Sequence, residues 1–289
     1  MSAAPPMHAD NAAQVDYWNR TAGQRWTDRQ AEQDELLRPI SELLMAAADA
    51  RPGQRVIDIG CGCGDTTLDL AARVSPNGEV LALDISEPML QRARERAPKT
   101  LPARFVLADA TVYDFEPEWA DLAASRFGVM FFADPERSFA NLRKGLKPGA
   151  RLAFVCWRAA KQNPWMTIPL REAKKHAPPL PETNPEDPGP FAFADDQRVR
   201  RLLGAAGFAD IEIAPRDLDL DVAIGRGLDA AVASAMGIGP TSRILDGRSN
   251  AVRAAAAADI KKALAERAKG ASVPLGAAIW LVTASNPAG

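Results

Sequence analysis

The sequence predicts an α/β fold built on a doubly wound, mostly parallel seven-stranded sheet, with an N-terminal helical cap and helical insertions. Three observations carry this. Short apolar runs alternate with helical stretches from about residue 55 to 160, as in sheets whose strands are joined by crossover helices. The first run, Val56-Ile57-Asp58-Ile59, opens directly into Gly60-Cys61-Gly62-Cys63-Gly64-Asp65-Thr66. Glycines at alternate positions let the backbone turn with positive φ and bring a ligand against main-chain N–H groups. A second run, Glu79 to Leu83, ends in Asp84, twenty residues beyond Gly64, the separation at which an acidic residue reaches a ribose in Rossmann-like folds.

The elements follow in order. Residues 11–50 read as helical, with Leu36, Leu37, Ile40, Leu43, Leu44 and Ala47 at helical spacing, so residues 1–50 form a cap on the sheet. Strands are expected at Val56–Ile59, Val80–Leu83, Arg104–Leu107, Leu122–Ser125 and Leu152–Cys156, placing the core in 51–160. Asp65 and Thr66 are good N-cap types for the helix after the glycine loop. Residues 161–190 read as a substrate lid: a short helix from Trp165 to His176, then Pro178, Pro179, Pro181, Pro185, Pro188 and Pro190, which exclude regular structure. The core resumes over 191–224 with a helix at Asp195–Ala206 and a strand at Asp210–Ala214. An alanine-rich helical insertion fills 225–272, and residues 273–289 hold a last strand, Ala277–Ala284, and a tail. There are no internal repeats.

The glycine loop constrains its ligand. Counted from Gly60, the third glycine of a Gly-x-Gly-x-x-Gly dinucleotide fingerprint falls on Asp65, so that fingerprint fails. Asp58 sets a carboxylate at the mouth of the turn, where it repels a pyrophosphate and attracts an ammonium or sulfonium. A cationic nucleoside fits both facts.

At this point the chain resembles the class I S-adenosylmethionine-dependent methyltransferases, in particular the small-molecule branch of ubiquinone and menaquinone biosynthesis. The resemblance runs from about Asp10 to Ala209. It rests on VIDIGCGCG, then ALDISEPML, then FVLADAT with Asp109, then SRFGVMFF followed by LKPGARLAFVCW. It implies that Asp58, Gly60, Gly62 and Gly64 contact the methionine part of the cofactor, Asp84 the ribose, and Asp109 the adenine amino group with Ala110 beside it. Thr66, Ile85, Met89 and Ser125 complete that expected set, with Tyr17 and Trp26 from the cap. It also implies that the last strand enters antiparallel beside the strand near Ile211. The family's usual glycine pair reads Gly149-Ala150 here, a departure in a turn with no catalytic consequence. The implied reaction is in-line transfer of a methyl group from S-adenosylmethionine to a small-molecule acceptor, leaving S-adenosylhomocysteine. Two other readings stay open: a module that binds these nucleosides without turnover, and a nicotinamide-dependent oxidoreductase, which Asp58 and Asp65 disfavour.

Such chemistry asks for proximity, exclusion of water and weakly polar aromatic faces around a cation. Tyr17, Trp18, Trp26, Phe131, Trp157 and Trp165 are able to supply them, although Trp18 and Trp26 serve equally as staples of the cap. Acceptor contacts are expected from Phe131, Trp157, Arg158, Trp165 and Met166. The catalytic residues are unknown. His176 is a candidate base because histidine as a residue type suits proton transfer near neutral pH, against the plainer reading of an exposed histidine. Arg126 and Arg158 follow the fourth and fifth strands and either hold an anionic substrate or pair with neighbouring carboxylates. Cys61 and Cys63 lack the partners for a tetrahedral shell, so no metal is expected.

Composition narrows the remaining classes. At 289 residues the chain is near the upper size for one core. Its 35 Lys and Arg against 37 Asp and Glu give a formal charge of −2, which provides no basic field for nucleic acid. A nucleic-acid amino-methyltransferase is expected to carry Pro-Pro-aromatic after the fourth strand, where this chain reads Ser125-Arg126-Phe127-Gly128. Three cysteines form no disulfide framework and point to a reducing, cytoplasmic setting. Met1 to Asp10 lacks the marks of a signal peptide, and no run approaches the ~20 apolar residues of a membrane span. The sequon Asn19-Arg20-Thr21 is then without consequence. A monomer or a homodimer is expected, and the acceptor and its reacting atom stay open.

Overall fold

The structure is a computed structural model that describes residues 6–178 and 184–288. The cap is three helices rather than one: after a 3-10 turn at Ala9–Asn11 come α1 (Ala12–Asn19), α2 (Thr21–Asp28) and α3 (Gln30–Ala48). The breaks fall at Arg20 and Arg29, whose backbones leave the helical region. The chain folds back tightly after the first break, since a Cβ on Gly23 would lie 1.9 Å from the Trp18 carbonyl oxygen. Only glycine permits that return.

Strand β1 (Arg55–Ile59) leads through the glycine loop into α4 (Asp65–Val74). Strand β2 (Glu79–Asp84), α5 (Glu87–Arg96), β3 (Ala103–Leu107), β4 (Ala120–Arg126), α6 (Pro135–Lys144) and β5 (Leu146–Trp157) continue the alternation. Next come α7 (Pro164–Ala173), α8 (Asp196–Ala205) and β6 (Ala209–Asp221), then α9 (Leu228–Gly237), α10 (Gly239–Ile244), α11 (Asn250–Ala265) and β7 (Pro274–Ser285). All seven expected strands are present. The sheet order is β3-β2-β1-β4-β5-β7-β6. The sheet is mixed: β1 to β5 run parallel, while β7 is antiparallel to both β5 and β6.

Apolar runs flanked on both sides by helices account for the central strands, which are buried on both faces. Ile57, Leu83, Leu122 and Phe154 are fully buried, as are Ile40 and Leu44 of α3 and Phe139 of α6, which pack against the sheet from their helices. Strands β6 and β7 run longer than the sequence pattern suggests. Their paired register extends from Ala209 opposite Ser285 to Asp221 opposite Pro274. The insertion α9–α11 hangs from the far end of this ribbon and packs onto α7.

The start of α4 departs from expectation. Gly64, at φ +87°, occupies the cap position, and Asp65 and Thr66 lie inside the first turn without capping it. Their side chains are drawn elsewhere, Asp65 to Arg126 and Thr66 to Asp58.

In the region expected as a lid, α7 is a largely buried helix, with Trp165, Met166, Ile168 and Ala173 inside. Pro179 and Pro181 lie outside the described residues. The returning turn is fastened to the body, because Gly189 N–H donates to the Met130 carbonyl at 3.1 Å.

Candidate functional site

The carboxyl ends of β1, β2 and β4 meet around the glycine loop, where ligands bind in open α/β sheets. At Gly60 (φ +66°) a Cβ would stand 2.7 Å from Gly128 Cα. The loops after β1 and β4 therefore touch backbone to backbone, which glycine alone permits. Ser125, fully buried, ties the same two loops: its hydroxyl donates to the Ile59 carbonyl at 2.8 Å and accepts from Gly128 N–H at 3.1 Å. Gly64 packs against Ala93 of α5 and does not line the cavity.

Three carboxylates surround this turn. Asp84 accepts from Gly62 N–H at 2.7 Å and Ser86 N–H at 2.8 Å. Burial pushes its pKa up to about 6, partly offset by those backbone donors. Asp58 is not at the mouth of the turn but fully buried beneath it. Its Oδ2 accepts from Thr66 and Thr67 at 2.8 and 2.6 Å, and its Oδ1 has no partner among the described residues. Burial raises its pKa to about 6 as well, against the pull of those two hydroxyls. Asp109, at the end of β3, accepts from the Asn11 side chain at 2.7 Å and His8 N–H at 2.9 Å through Oδ2, and from Thr111 N–H at 2.8 Å through Oδ1.

Two cavities adjoin here. The first, of about 130 Å³, is lined by Gly60, Gly62, Thr66, Asp84, Ile85, Met89, Asp109 and Ala110, with Asn11 and Arg126 at its sides. The second, of about 330 Å³, is the roomier and is enclosed by Tyr17, Trp157, Trp165 and Met166 together with Leu36, Leu37 and Met130. Trp18, Trp26, Phe127 and Phe131 line both and form the wall between them. That wall is an aromatic lattice: Phe127 stacks on Trp157 at 4.2 Å, Trp165 lies 5.1 Å from Trp157, and Trp18 meets Phe131 edge-on at 5.0 Å. Phe127 holds φ +68°, a conformation that costs a bulky residue about 1–3 kcal/mol. Its stacking on Trp157 offsets part of that cost.

Other expected residues lie elsewhere. Arg158 lines neither cavity; it pairs with Asp217 at 2.7 Å and lies over the Trp280 ring at 4.8 Å. His176 also lies outside both, its Nε2 2.8 Å from Asp259 on α11. Arg126 does border the first cavity, yet it is already paired with Asp65 at 2.6 Å and faces Asp34 at 3.6 Å. Arg96 completes the cluster at 2.8 Å from Asp34, whose pKa is raised by burial first and by Asp65 next. Phe132 also borders the first cavity, beside Phe131. Among the described residues no cluster of His, Cys, Asp and Glu has the makings of a metal site.

Several lining residues escape sequence reasoning. Asn11 lies in no motif, and Phe127 lies within the SRFGVMFF stretch without a role of its own being legible there. Gln14, Gln33 and the stretch from Gly237 to Arg243, the end of α9 and most of α10, reach the second cavity from segments far apart in the chain. No spacing rule connects them.

The sheet order, with one reversed strand beside the edge, and the cavity at the strand ends define a Rossmann-like α/β domain. More narrowly, the chain matches the family model of the methyltransferase domain over residues 56–149. It is 35% identical over 130 residues to the 2-phytyl-1,4-naphtoquinone methyltransferase of Trichormus variabilis, covering 44% of this chain and 57% of that protein. It is 29% identical over 198 residues to the nocamycin O-methyltransferase of Saccharothrix syringae, covering 64% and 70%. Other curated relatives are spanned for about half their length. The fold is shared with Haemonchus contortus phosphoethanolamine N-methyltransferase 2, solved in complex with S-adenosyl-L-methionine, at TM-score 0.59 and 18% identity over 94% of this chain and 60% of that one.

Proposed function

We propose that this chain transfers a methyl group from S-adenosylmethionine to a small-molecule acceptor. The observation that supports it best is the pair of adjoining cavities: one at the glycine loop with Asp84 and Asp109, the other apolar, divided by a wall of four aromatic residues. The residues present suit the cofactor. Asp84 takes the ribose hydroxyls, and Asp109 takes the adenine amino group in place of a donor it now holds, Asn11 or His8. Asp58 contributes a buried carboxylate with one oxygen unpartnered among the described residues, a source of negative potential beneath a cationic ligand. Bound there, the cofactor supplies an activated methyl group. The chain's own part is to hold the acceptor against it and to exclude water, with aromatic faces beside the positive charge.

We assign the cofactor's remaining contacts to Gly60, Gly62, Thr66, Ile85, Met89, Ala110 and Trp26, which line the first cavity, and the acceptor's to Phe131, Trp157, Trp165 and Met166, which line the second. Tyr17 lines the acceptor side instead of the cofactor side. We assign 1–50 to a cap that closes both cavities, 51–160 with 191–224 to the core, and 225–272 to an insertion that supplies acceptor contacts. No helix of the described residues is long and apolar enough to cross a membrane. Three buried free cysteines suit a reducing compartment such as the cytoplasm. A second reading, binding without turnover, is favoured by one fact: no carboxylate, histidine, lysine or cysteine is among the described residues lining the second cavity.

Calorimetry with the purified protein should show micromolar binding of S-adenosylmethionine or S-adenosylhomocysteine, about −8 kcal/mol. Asp84→Ala should weaken it by about 1.5–3 kcal/mol, the scale of a hydrogen bond to a charged group. Binding of neither nucleoside removes the proposal. Methyl-labelled cofactor incubated with metabolite extracts, read by mass spectrometry, separates turnover from binding alone.

A further inference from the structure

We propose that the second cavity takes an organic acid, a molecule with an apolar ring-bearing body and a carboxylate, and that Arg243 at the rim binds the carboxylate. This deepens the acceptor half of the proposed function and rests on that reading. The lining changes character with depth. Leu36, Leu37, Met130, Trp157 and Met166 are at most 5% exposed and offer aliphatic and aromatic surface, suited to a ring. The exposed part of the lining differs. Tyr17 of α1 is 39% exposed, and Arg243 of α10, also exposed, holds its guanidinium carbon 5.6 Å from the centre of the Tyr17 ring. A cap helix and the insertion thus meet at the rim, and they present a cation there.

The charge around the rim is one-sided. No Asp or Glu is among the described residues lining this cavity, and its charged side chains are Arg25 and Arg243. Asp246 lies three residues beyond Arg243 and is paired with Arg25 at 2.6 Å. Among the described residues Arg243 is in no ion pair, and a ring beneath its guanidinium leaves the N–H donors to other partners. Arg248 and Arg253, next along the chain, donate to the backbone carbonyls of Ile244 and Leu245 at 3.4 and 3.1 Å rather than to carboxylates. This end of the molecule therefore carries a surplus of positive charge in a chain whose formal charge is −2, a field that draws anions toward the opening. An ammonium group meets like charge there and no counterion. A neutral group leaves the guanidinium to water. A carboxylate matches the planar fork of N–H donors that an arginine offers.

Equilibrium dialysis of the full chain at about pH 8, where carboxyl and amino groups are both ionised, against 2-naphthoate, 2-naphthamide and 2-naphthylmethylamine, with and without S-adenosylhomocysteine, tests this. The three share a ring and differ in carrying a carboxylate, its neutral amide or an ammonium group. We expect 2-naphthoate to bind about 3- to 10-fold more tightly than 2-naphthamide, between the scale of an exposed ion pair and that of a hydrogen bond to a charged group, and the ammonium to bind most weakly. Arg243→Gln should remove the naphthoate advantage and leave 2-naphthamide where it was, while Arg243→Lys keeps part of it. Salt at about 1 M should shrink the wild-type advantage by screening. Binding of the amide or the ammonium as tight as that of 2-naphthoate, a naphthoate advantage that survives Arg243→Gln, or no binding of any probe overturns the proposal. The wild-type comparison decides even if a variant fails to fold. Failure of S-adenosylhomocysteine to bind counts against the cofactor reading alone, because the probes are also measured without it.

Discussion

Asp58 and Asp84 sit where burial and ligand charge pull in opposite directions. Both have pKa values raised to about 6 from the ordinary aspartate value of 3.8, chiefly by burial. The folded chain thus holds their protons more tightly than the unfolded chain does. Their contribution favours folding most below about pH 4 and is lost as pH rises through about 6. A cationic cofactor prefers the ionised forms, so its affinity should strengthen between pH 5 and pH 7 while intrinsic stability declines. Calorimetry across a buffer series checks this, and a flat affinity for S-adenosylmethionine over that range would count against Asp58 and Asp84 as its electrostatic partners. Asp58→Asn should flatten part of the slope. Arg126 makes a different test, because its partners Asp65 and Asp34 are buried carboxylates. Removing one member of a buried pair strands the other, so Arg126→Leu should cost about 3–5 kcal/mol in denaturant unfolding. An arginine kept for substrate alone would lower turnover with stability intact. The position of Arg126 at a strand end was legible in the sequence. Its partnership with Asp34 was not, because that contact joins a strand to a distant cap helix and follows no local spacing.

At the scale of elements, the glycine loop is as much a packing joint as a ligand cradle. A Cβ on Gly128 would stand 2.5 Å from the Ile59 carbonyl oxygen and 2.8 Å from Gly60 Cα, atoms of backbone that cannot swing aside. Gly128→Ala should destabilise the protein by about 1–3 kcal/mol, as overpacking does, and should weaken cofactor binding along with it. Thermal unfolding and calorimetry on one sample would show whether the two losses travel together. The pair His176 and Asp259 joins the end of α7 to α11 at the surface. His176→Ala should leave cofactor affinity and turnover unchanged, with a slight fall in unfolding temperature; a large loss of turnover would restore histidine as a base. Strand positions were readable because apolar runs bounded by glycine, proline and acidic residues have few alternatives. The cap was legible as helical, but its two breaks were not, since Arg20 and Arg29 carry no helix-stop signal. The long β6–β7 ribbon was also hidden, because the exposed edge strand lacks clean alternation.

For the molecule as a whole, most of the cavity at the strand ends is written between Ile59 and Phe132, with Asn11, Trp18, Trp26, Gln30 and Asp34 of the cap added, while the second cavity is assembled from scattered segments. The second cavity draws on α1 to α3, α7, the turn Pro188 to Pro190, the end of α9 and α10. None of these was connected to another by any period or motif, so the insertion at 225–272 had no legible role in the sequence. Within residues 56–149, the part that matches the methyltransferase domain, only Phe127, Met130 and Phe131 border that cavity. The matched stretch and most of the second cavity are therefore recorded in separate passages of this polypeptide. Two descendants can keep residues 56–149 letter for letter and still reshape that cavity, because all but three of its lining residues lie outside the stretch.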